Sequence, residues 1–325
     1  MNFNWHKLGQ VFNPTTYNDG IVRPWMKSHA QCTSTLVLED RVRVFFSCRP
    51  APDENKQYVS HFAYVDLDRN DLTQIIKVSD HPLIPLGDLG TFDEFAIYPS
   101  CVVKDGNYII LFYTGWTRMQ SIPYTASIGM ASSSDNGEHF TRIHAGPILT
   151  NSIYEPFEVS GPKVYKFNNA CWYMYYLAGE KWQIADEGKA ESTYKIRLAT
   201  SVNGYEWEKF NTSIIDDVLT ENECQAGPDV IFKDNLYHMF FSYRHNYNFK
   251  NKERGYKIGY AWSKNATIWR RDDSLSGIGL SDEGWDSQMM HYPHVFELDG
   301  SHYMLYNGNE FGRYGFGLAK MEETK

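Results

Sequence analysis

The sequence predicts an all-β protein, a five-bladed β-propeller whose last blade is closed by the N-terminal strand, and three observations carry that prediction. A strand–turn–strand segment recurs five times along the chain. A third strand of similar composition follows each copy. The last copy lacks an outer strand, and a segment resembling one stands at the opposite terminus. A long, regular period of β-hairpins is the signature of radially repeated blades.

The five hairpins read TSTLVLEDRVRVFFSCR from Thr33, PSCVVKDGNYIILFYTGW from Pro99, GPKVYKFNNACWYMYYLAGE from Gly161, GPDVIFKDNLYHMFFSYR from Gly227 and YPHVFELDGSHYMLYNGN from Tyr292. Each opens on polar residues and runs into a short apolar strand. It turns at Asp, Asn or Gly and returns as an aromatic-rich strand, a composition suited to a half-buried pleated surface. With Thr33, Pro99, Pro162, Pro228 and Pro293 aligned, successive copies stand 66, 63, 66 and 65 residues apart. Third strands follow as IGMASSS from Ile128, IRLATSV from Ile196, IGYAWSK from Ile258 and FGLAK from Phe316, with HFAYVD from His61 as the weaker first copy. Turns such as DNGEHF and NGYEW then lead to outer strands FTRIHAGPIL from Phe140, WEKFNTSII from Trp207 and IWRRDDSLS from Ile268. The fifth unit stops near Ala319. The segment NWHKLGQVF, from Asn4 to Phe12, is expected to pair there and leave no open gap between first and last blades.

The repeat uses nearly all of the 325 residues, so residues 1–325 are expected to form one propeller domain. No run approaches the ~18 apolar residues of a membrane span. Met1 to Asp19 carry no apolar stretch like a secretory signal. The five cysteines, Cys32, Cys48, Cys101, Cys171 and Cys224, are odd in number and lack metal-ligand spacing. They read as reduced thiols of a cytoplasmic protein. A net charge of −9 argues against nucleic acid as the main partner. The histidines lack HExxH spacing, so no zinc, other metal or cofactor is expected. The sequence leaves the oligomeric state open. Irregular segments are expected at Pro50–Ser60, Thr117–Thr125, Lys181–Tyr194 and His245–Arg254. Each follows a second strand, so they should share one face, where binding is usually placed.

The first strand of each propeller blade lines the central channel. The second runs antiparallel to it, so the start of one lies beside the end of the other. The alignment therefore gives two rings of candidates on one face. Strand ends supply Arg49, Trp116, Glu180, Arg244 and Asn309. Strand starts supply His29, Gln31, Asp93, Glu94, Glu155, Glu158, Glu223, Gln225, Asp286, Gln288 and His291. Two acids across a channel are the minimal equipment for glycoside hydrolysis. One is protonated and donates to the leaving oxygen; the other is ionised and acts as base or nucleophile. Asp93, Glu158, Glu223 and Asp286 come from four blades and are the catalytic candidates, with His29 assisting. Arg49 and Arg244 hold the same place in two blades. They read either as partners of the acids or as a grip on an anionic sugar or nucleotide-sugar phosphate, with Arg313 a further basic candidate. Trp116 reads as a platform for a sugar ring or as loop packing. Glu94, Glu180, His291 and Asn309 complete the expected substrate-binding set.

The five blades resemble the propellers of the family 43 and family 32 glycoside hydrolases, which carry their acids at the starts of the first strands. Nearly the whole chain further resembles glycosidase-like bacterial proteins encoded among surface-polysaccharide biosynthesis genes. The stretches that carry this are WMKSHA from Trp25, LGTFDE from Leu89, EPFEVSGP from Glu155, GWDSQMMHYP from Gly284 and MLYNGNEFGRYGFGLA from Met304. The resemblance implies a carbohydrate or nucleotide-sugar substrate and a glycoside-active enzyme, most simply a hydrolase. A glycosyltransferase, a phosphorylase or a non-catalytic sugar-binding protein are the alternatives on the same scaffold. In family 43 the acid stands two residues before the strand proline. Here Ser160 and Ala226 hold that place, with Glu158 and Glu223 displaced upstream. The leading assignment is Asp93 as base or nucleophile and Glu158 as acid, from neighbouring blades and flanked by the clearest matches.

Overall fold

The computed structural model describes residues 3–168, 171–185, 188–220 and 222–322. Strand β1 (Trp5–Phe12) precedes the blades. Blade 1 holds β2 (Ser28–Val37), β3 (Arg41–Arg49), β4 (His61–Asp68) and β5 (Ile75–Val78). Blade 2 holds β6 (Ala96–Asp105), β7 (Tyr108–Arg118), β8 (Tyr124–Ser133) and β9 (Thr141–Arg142). Blade 3 holds β10 (Val159–Asn168), β11 (Cys171–Ile184), β12 (Ala190–Ser201) and β13 (Glu208–Ser213). Blade 4 holds β14 (Glu223–Lys233), β15 (Leu236–His245), β16 (Lys257–Ser263) and β17 (Arg270–Arg271). Blade 5 holds β18 (His291–Leu298), β19 (Ser301–Asn307) and β20 (Phe316–Met321). Its outer strand is β1, antiparallel to β20 from Trp5–Met321 to Phe12–Phe316. The expected closure is therefore present. Innermost strands touch in a closed cycle, β2 to β6, β10, β14, β18 and back to β2.

Each apolar cluster is a seam between two blades, so each blade buries its apolar faces against its neighbours. Phe12, Phe46, Phe316 and Leu318 pack between blades 5 and 1, for example, and Phe240, Tyr260, Val295 and Tyr306 between blades 4 and 5. Outer strands β9 and β17 are shorter than the sequence suggested, two residues each, because an outer strand has a neighbour on one side only. The segment from Lys181 to Tyr194, expected to be irregular, instead extends the β11–β12 hairpin. Trp182 pairs with Ser192 and Gln183 with Glu191; Asp186 and Glu187 lie outside the described residues.

Every first strand carries a register shift at the aligned position. The residue before that position is left-handed in four blades: Cys32 (φ 56°), Gly161 (φ 60°), Gly227 (φ 54°) and Tyr292 (φ 51°). The bulge aims the following side chain at the axis. Lys163, Asp229 and His294 are such residues, and together they plug the channel. Lys163 Nζ lies 3.0 Å from Asp229 Oδ2 and donates to Thr33 O at 3.4 Å. Tyr165 donates to Asp229 Oδ1 at 2.7 Å. Thr35 N donates to His294 Nε2 at 3.0 Å, which places the imidazole proton on Nδ1, facing Asp229. Burial opposes ionisation of Asp229, but Lys163 and then His294 override it and hold its carboxyl at about 2, against an ordinary 3.8.

A carboxyl whose folded-state pKa is depressed stabilises the fold above its unfolded pKa, and the gain is lost as pH falls through the folded value. The Asp229 contribution is thus complete above pH 3.8 and disappears towards pH 2. Its size is about 2 kcal/mol at ~1.36 kcal/mol per pKa unit. Urea unfolding of wild type and Asp229→Asn should differ by about that much more at pH 5 than at pH 2. A difference independent of pH would show that the plug is not held by charge.

Candidate active site

The connections after the second strands of blades 1, 2 and 4 and the extended β11–β12 hairpin of blade 3 meet around a central cavity of about 610 Å³. They bring Tyr58, Arg118, Glu191 and Phe249 to its wall, together with His29, Arg49, Trp116, Tyr124, Glu158 and Arg244. A side chamber of about 330 Å³ shares Tyr124, Glu191, Tyr194 and Arg244 with it.

The two rings read from the sequence are only partly realised. Of the four acids expected around one opening, Glu158 alone lines the cavity. Asp93, Glu223 and Asp286 are buried in ties within their own blades, where a cation from the outer strand reaches in to meet them. Asp93 Oδ2 accepts from Tyr113 OH at 2.9 Å and from Arg142 Nε at 2.8 Å. Asp286 Oδ2 accepts from Lys7 Nζ at 2.7 Å and from Tyr306 OH at 3.1 Å. Glu223 accepts from Arg271 Nη1 at 2.6 Å and from the amides of Val218 and Leu219 at 3.0 and 3.1 Å. Glu155 completes the pattern in blade 3, with Tyr176 OH at 2.7 Å, Arg197 Nη1 at 3.0 Å and Lys209. The physical reason is economy of charge: a carboxylate at the base of a blade sits within reach of the outer strand, and burial there demands a partner. The strand-start acid is, in this protein, chiefly a blade fastener.

The strand-end ring divides similarly. Arg49, Trp116 and Arg244 line the cavity. Glu180 falls at a register shift between Gly179 and Lys181, which turns it away towards Arg197, 3.4 Å distant. Asn309 lies beyond the end of β19, where its Oδ1 accepts from the amides of Gln288 and Met289 at 2.8 and 3.1 Å. Glu94 caps its own loop through the Gly90 amide at 3.0 Å. Arg313 is half exposed and pairs with Glu310 at 3.2 Å. His291 is fully buried behind Tyr256 and Tyr292, its Nε2 donating to Gly308 O at 3.0 Å. Burial pushes it down to about 3, so it stays neutral. His29 does reach the cavity. Burial, then Arg49 and Arg313, push it down to about 3 as well, so it presents a neutral imidazole to the cavity.

Glu158 is built in with care. It is 3 % exposed, and the extended β11–β12 hairpin clamps it. Ser192 Oγ donates to Oε1, and Trp182 Nε1 donates to Oε2 at 3.1 Å. A Cβ on Gly179 would stand 2.7 Å from Oε2, so only glycine leaves room for this carboxyl against β11. Burial raises its pKa above the ordinary 4.5, with Ser192 and Trp182 pulling partly back. The other carboxylate on the cavity wall among the described residues is Glu191, beside Ser192 on the same hairpin.

Sequence reasoning missed the tyrosines. Arg49 Nη2 donates to Tyr98 OH, which donates to Gln31 Oε1 at 2.9 Å. Arg244 Nη2 donates to Tyr194 OH at 3.0 Å, and Tyr194 OH shares a hydrogen bond with Tyr256 OH. A partial signal was present: Tyr194 and Tyr256 each stand two residues before the third strand's repeated Ile, and Tyr124 stands four before it, in three consecutive blades.

No protein-family model matches the sequence. The uncharacterized proteins Rv1502 and MT1551 of two Mycobacterium tuberculosis strains are each 31 % identical to it over 319 residues, which is 98 % of this chain and 99 % of theirs. Among solved structures, a glycoside hydrolase superposes with a TM-score of 0.74 at 14 % identity, covering 99 % of this chain and 93 % of its own. The Bombyx mori GH32 beta-fructofuranosidase BmSUC1 gives 0.63 at 15 %, covering 97 % and 61 %. A thermostable family-43 glycoside hydrolase gives 0.62 at 14 %, covering 94 % and 91 %. At such identities the likeness is one of fold. Identity along the full length is a different matter, and it makes this chain a member of the family of Mycobacterium tuberculosis Rv1502, on a five-bladed propeller of the kind found in family 43 and family 32 glycoside hydrolases.

Proposed function

We propose that this protein is a glycoside-active enzyme, most simply a hydrolase, with Glu158 as its proton donor. The observation that carries the reading is Glu158 itself: a buried carboxyl on the wall of a large cavity, biased towards the protonated form and held by two donors. A general acid for a leaving oxygen needs a raised pKa, which burial supplies, and a fixed position, which the two donors supply. Glu191 supplies the second carboxylate, as base or nucleophile, in place of Asp93, whose charge is taken up by Arg142. Trp116 and Tyr124 give apolar faces for a sugar ring, and neutral His29 gives a hydroxyl partner. The fold shared with glycoside hydrolases supports a carbohydrate substrate. The likeness to proteins of surface-polysaccharide gene clusters supports a place in that metabolism, and five free cysteines support a cytoplasmic location.

In this reaction Glu158 protonates the glycosidic oxygen as the bond to the anomeric carbon breaks. The Glu191 carboxylate either attacks that carbon or removes a proton from the attacking water. The test is a panel of aryl glycosides, pyranosides and furanosides, neutral and acidic, with released phenol followed optically. Wild type should turn over at least one, with kcat/KM falling as pH rises through the elevated pKa of Glu158. Turnover with no such alkaline fall, or none across the panel, would count against the assignment.

A further inference from the structure

Buried arginines in this protein are matched by acids. Arg23 meets Asp19 at 2.8 Å, Arg43 meets Asp66 at 2.7 Å, Arg197 meets Glu155 at 3.0 Å and Arg271 meets Glu223 at 2.6 Å. Arg244, which is buried, and Arg49, which is partly buried, break the rule. Among the described residues no ion pair joins either to a carboxylate. The groups beside Arg49 include the hydroxyls of Tyr98, Tyr292 and Tyr58; those beside Arg244 include Cys224, Tyr194, Tyr256 and the backbone oxygen of His245, which accepts from Nη1 at 2.7 Å. Arg244 is 5 % exposed, and the Nε of each arginine is buried with no hydrogen-bond partner. Both line the cavity, and Tyr292 lies within electrostatic reach of both.

A buried guanidinium without a counter-charge is costly, and a carboxylate in the right place would relieve it. Here the fold provides aromatic faces instead. Arg244 lies 3.6 Å over the Phe249 ring, and Arg49 lies 5.3 Å from the Tyr58 centroid. Such rings hold a guanidinium in place while leaving its charge unneutralised. Tyr98 and Tyr194 each take one Nη donor, which fixes the plane of the fork.

We infer that the cavity recognises an acidic carbohydrate, one carrying a carboxylate or phosphate oxyanion that Arg49 and Arg244 grip. This rests on the reading of the cavity as a carbohydrate site, and it adds the substrate class. Arginine is suited to the task because its planar fork matches both oxyanions. The two sources share this chemistry, and ligand pairs separate them.

The experiment is titration calorimetry with matched pairs. Methyl glucuronide and methyl galacturonide are each compared with the neutral methyl hexoside, and hexose 1-phosphates with the free hexoses. At least one acidic member should bind about ten-fold or more tightly than its neutral twin. The advantage should shrink with added salt. A uronide advantage identifies a carboxylate ligand, and a 1-phosphate advantage identifies a phosphate ligand. Arg49→Met and Arg244→Met should each erase most of the advantage, with melting temperature unchanged or raised, because an unpaired buried charge is gone. No acidic member exceeding its twin in wild type overturns the inference, as does an advantage that survives both substitutions. Acidic ligands held through the arginines without any Glu158-dependent turnover would sink the enzyme reading and leave this site standing. Glu158-dependent turnover of neutral glycosides with no acidic preference would do the reverse.

Discussion

Removal of residues 1–12 should abolish the cooperative fold. The deletion takes out a strand that pairs with β20 alone, and three large side chains with it. Phe3 packs edge-on against His238 and Phe240, Trp5 against Phe240, and Phe12 against Phe46 and Phe316. These contacts lie at two seams, between blades 4 and 5 and between blades 5 and 1. Burial of each such side chain contributes about 1.5–3 kcal/mol, so their joint loss is on the order of the whole stability of a typical domain, about 5–15 kcal/mol. The deletion also removes Lys7, the cation that fastens Asp286, and leaves that carboxylate buried without its charge partner. The shortened chain should be recovered aggregated, or should show no cooperative thermal transition by circular dichroism. A monomer with the parental melting temperature would show that the ring does not need its closure.

That role of β1 was legible because repetition makes an absence visible. Three units showed an outer strand in the sequence, the fifth did not, and the candidate lay at the other end of the chain. The structure adds a detail that could have been read in advance: Lys7 serves blade 5 as Arg142, Lys209 and Arg271 serve blades 2, 3 and 4. The site was less legible, for the same reason. Alignment treats equivalent positions as equivalent in role, and so put Asp93, Glu158, Glu223 and Asp286 around one opening. Three of these acids meet a cation from the outer strand of their own blade, a pairing across sheet width that strand-start alignment cannot see. Glu158 stands apart because Glu155, three residues upstream, takes the fastening role in blade 3 and releases it. Two acids at one blade start, EPFE, were the sign that one of them was spare.

The arginines show the complementary limit. A strand-end arginine reads as an ion-pair partner until the acids are located. Only when each acid is seen to be satisfied elsewhere do Arg49 and Arg244 become unmatched charges. The hairpin that clamps Glu158 was hidden because WQIADEGKAES carries charged and small residues that suit a loop. Its pairing comes from register inherited from β11 and β12, not from local propensity.

Glu158→Gln should lower turnover by about 10²–10⁴-fold on a glycoside with a poor leaving group, the range that general acid catalysis supplies. The amide keeps the shape of the side chain; its oxygen can accept from Trp182 while its NH2 donates to the Ser192 hydroxyl, so the clamp and the fold should survive. The missing element is the proton. That makes the loss dependent on what leaves. An alkyl glycoside must receive a proton on its departing oxygen and should show the full deficit. A dinitrophenyl glycoside departs as a stable anion and should retain most of the wild-type rate, if the first bond-breaking step limits turnover. The pH profile gives an independent reading. Burial holds the wild-type carboxyl protonated above its ordinary range, so activity should decline as pH rises through that elevated pKa. The glutamine variant has no proton to lose, so its residual activity should lack the alkaline limb. A deficit equal for both leaving groups, with the limb intact, would remove Glu158 from the role of acid. It would leave the residue as a hydrogen-bonding contact to the sugar, and the search for the donor would turn to the hydroxyls of Tyr124 and Tyr194 that share the cavity wall.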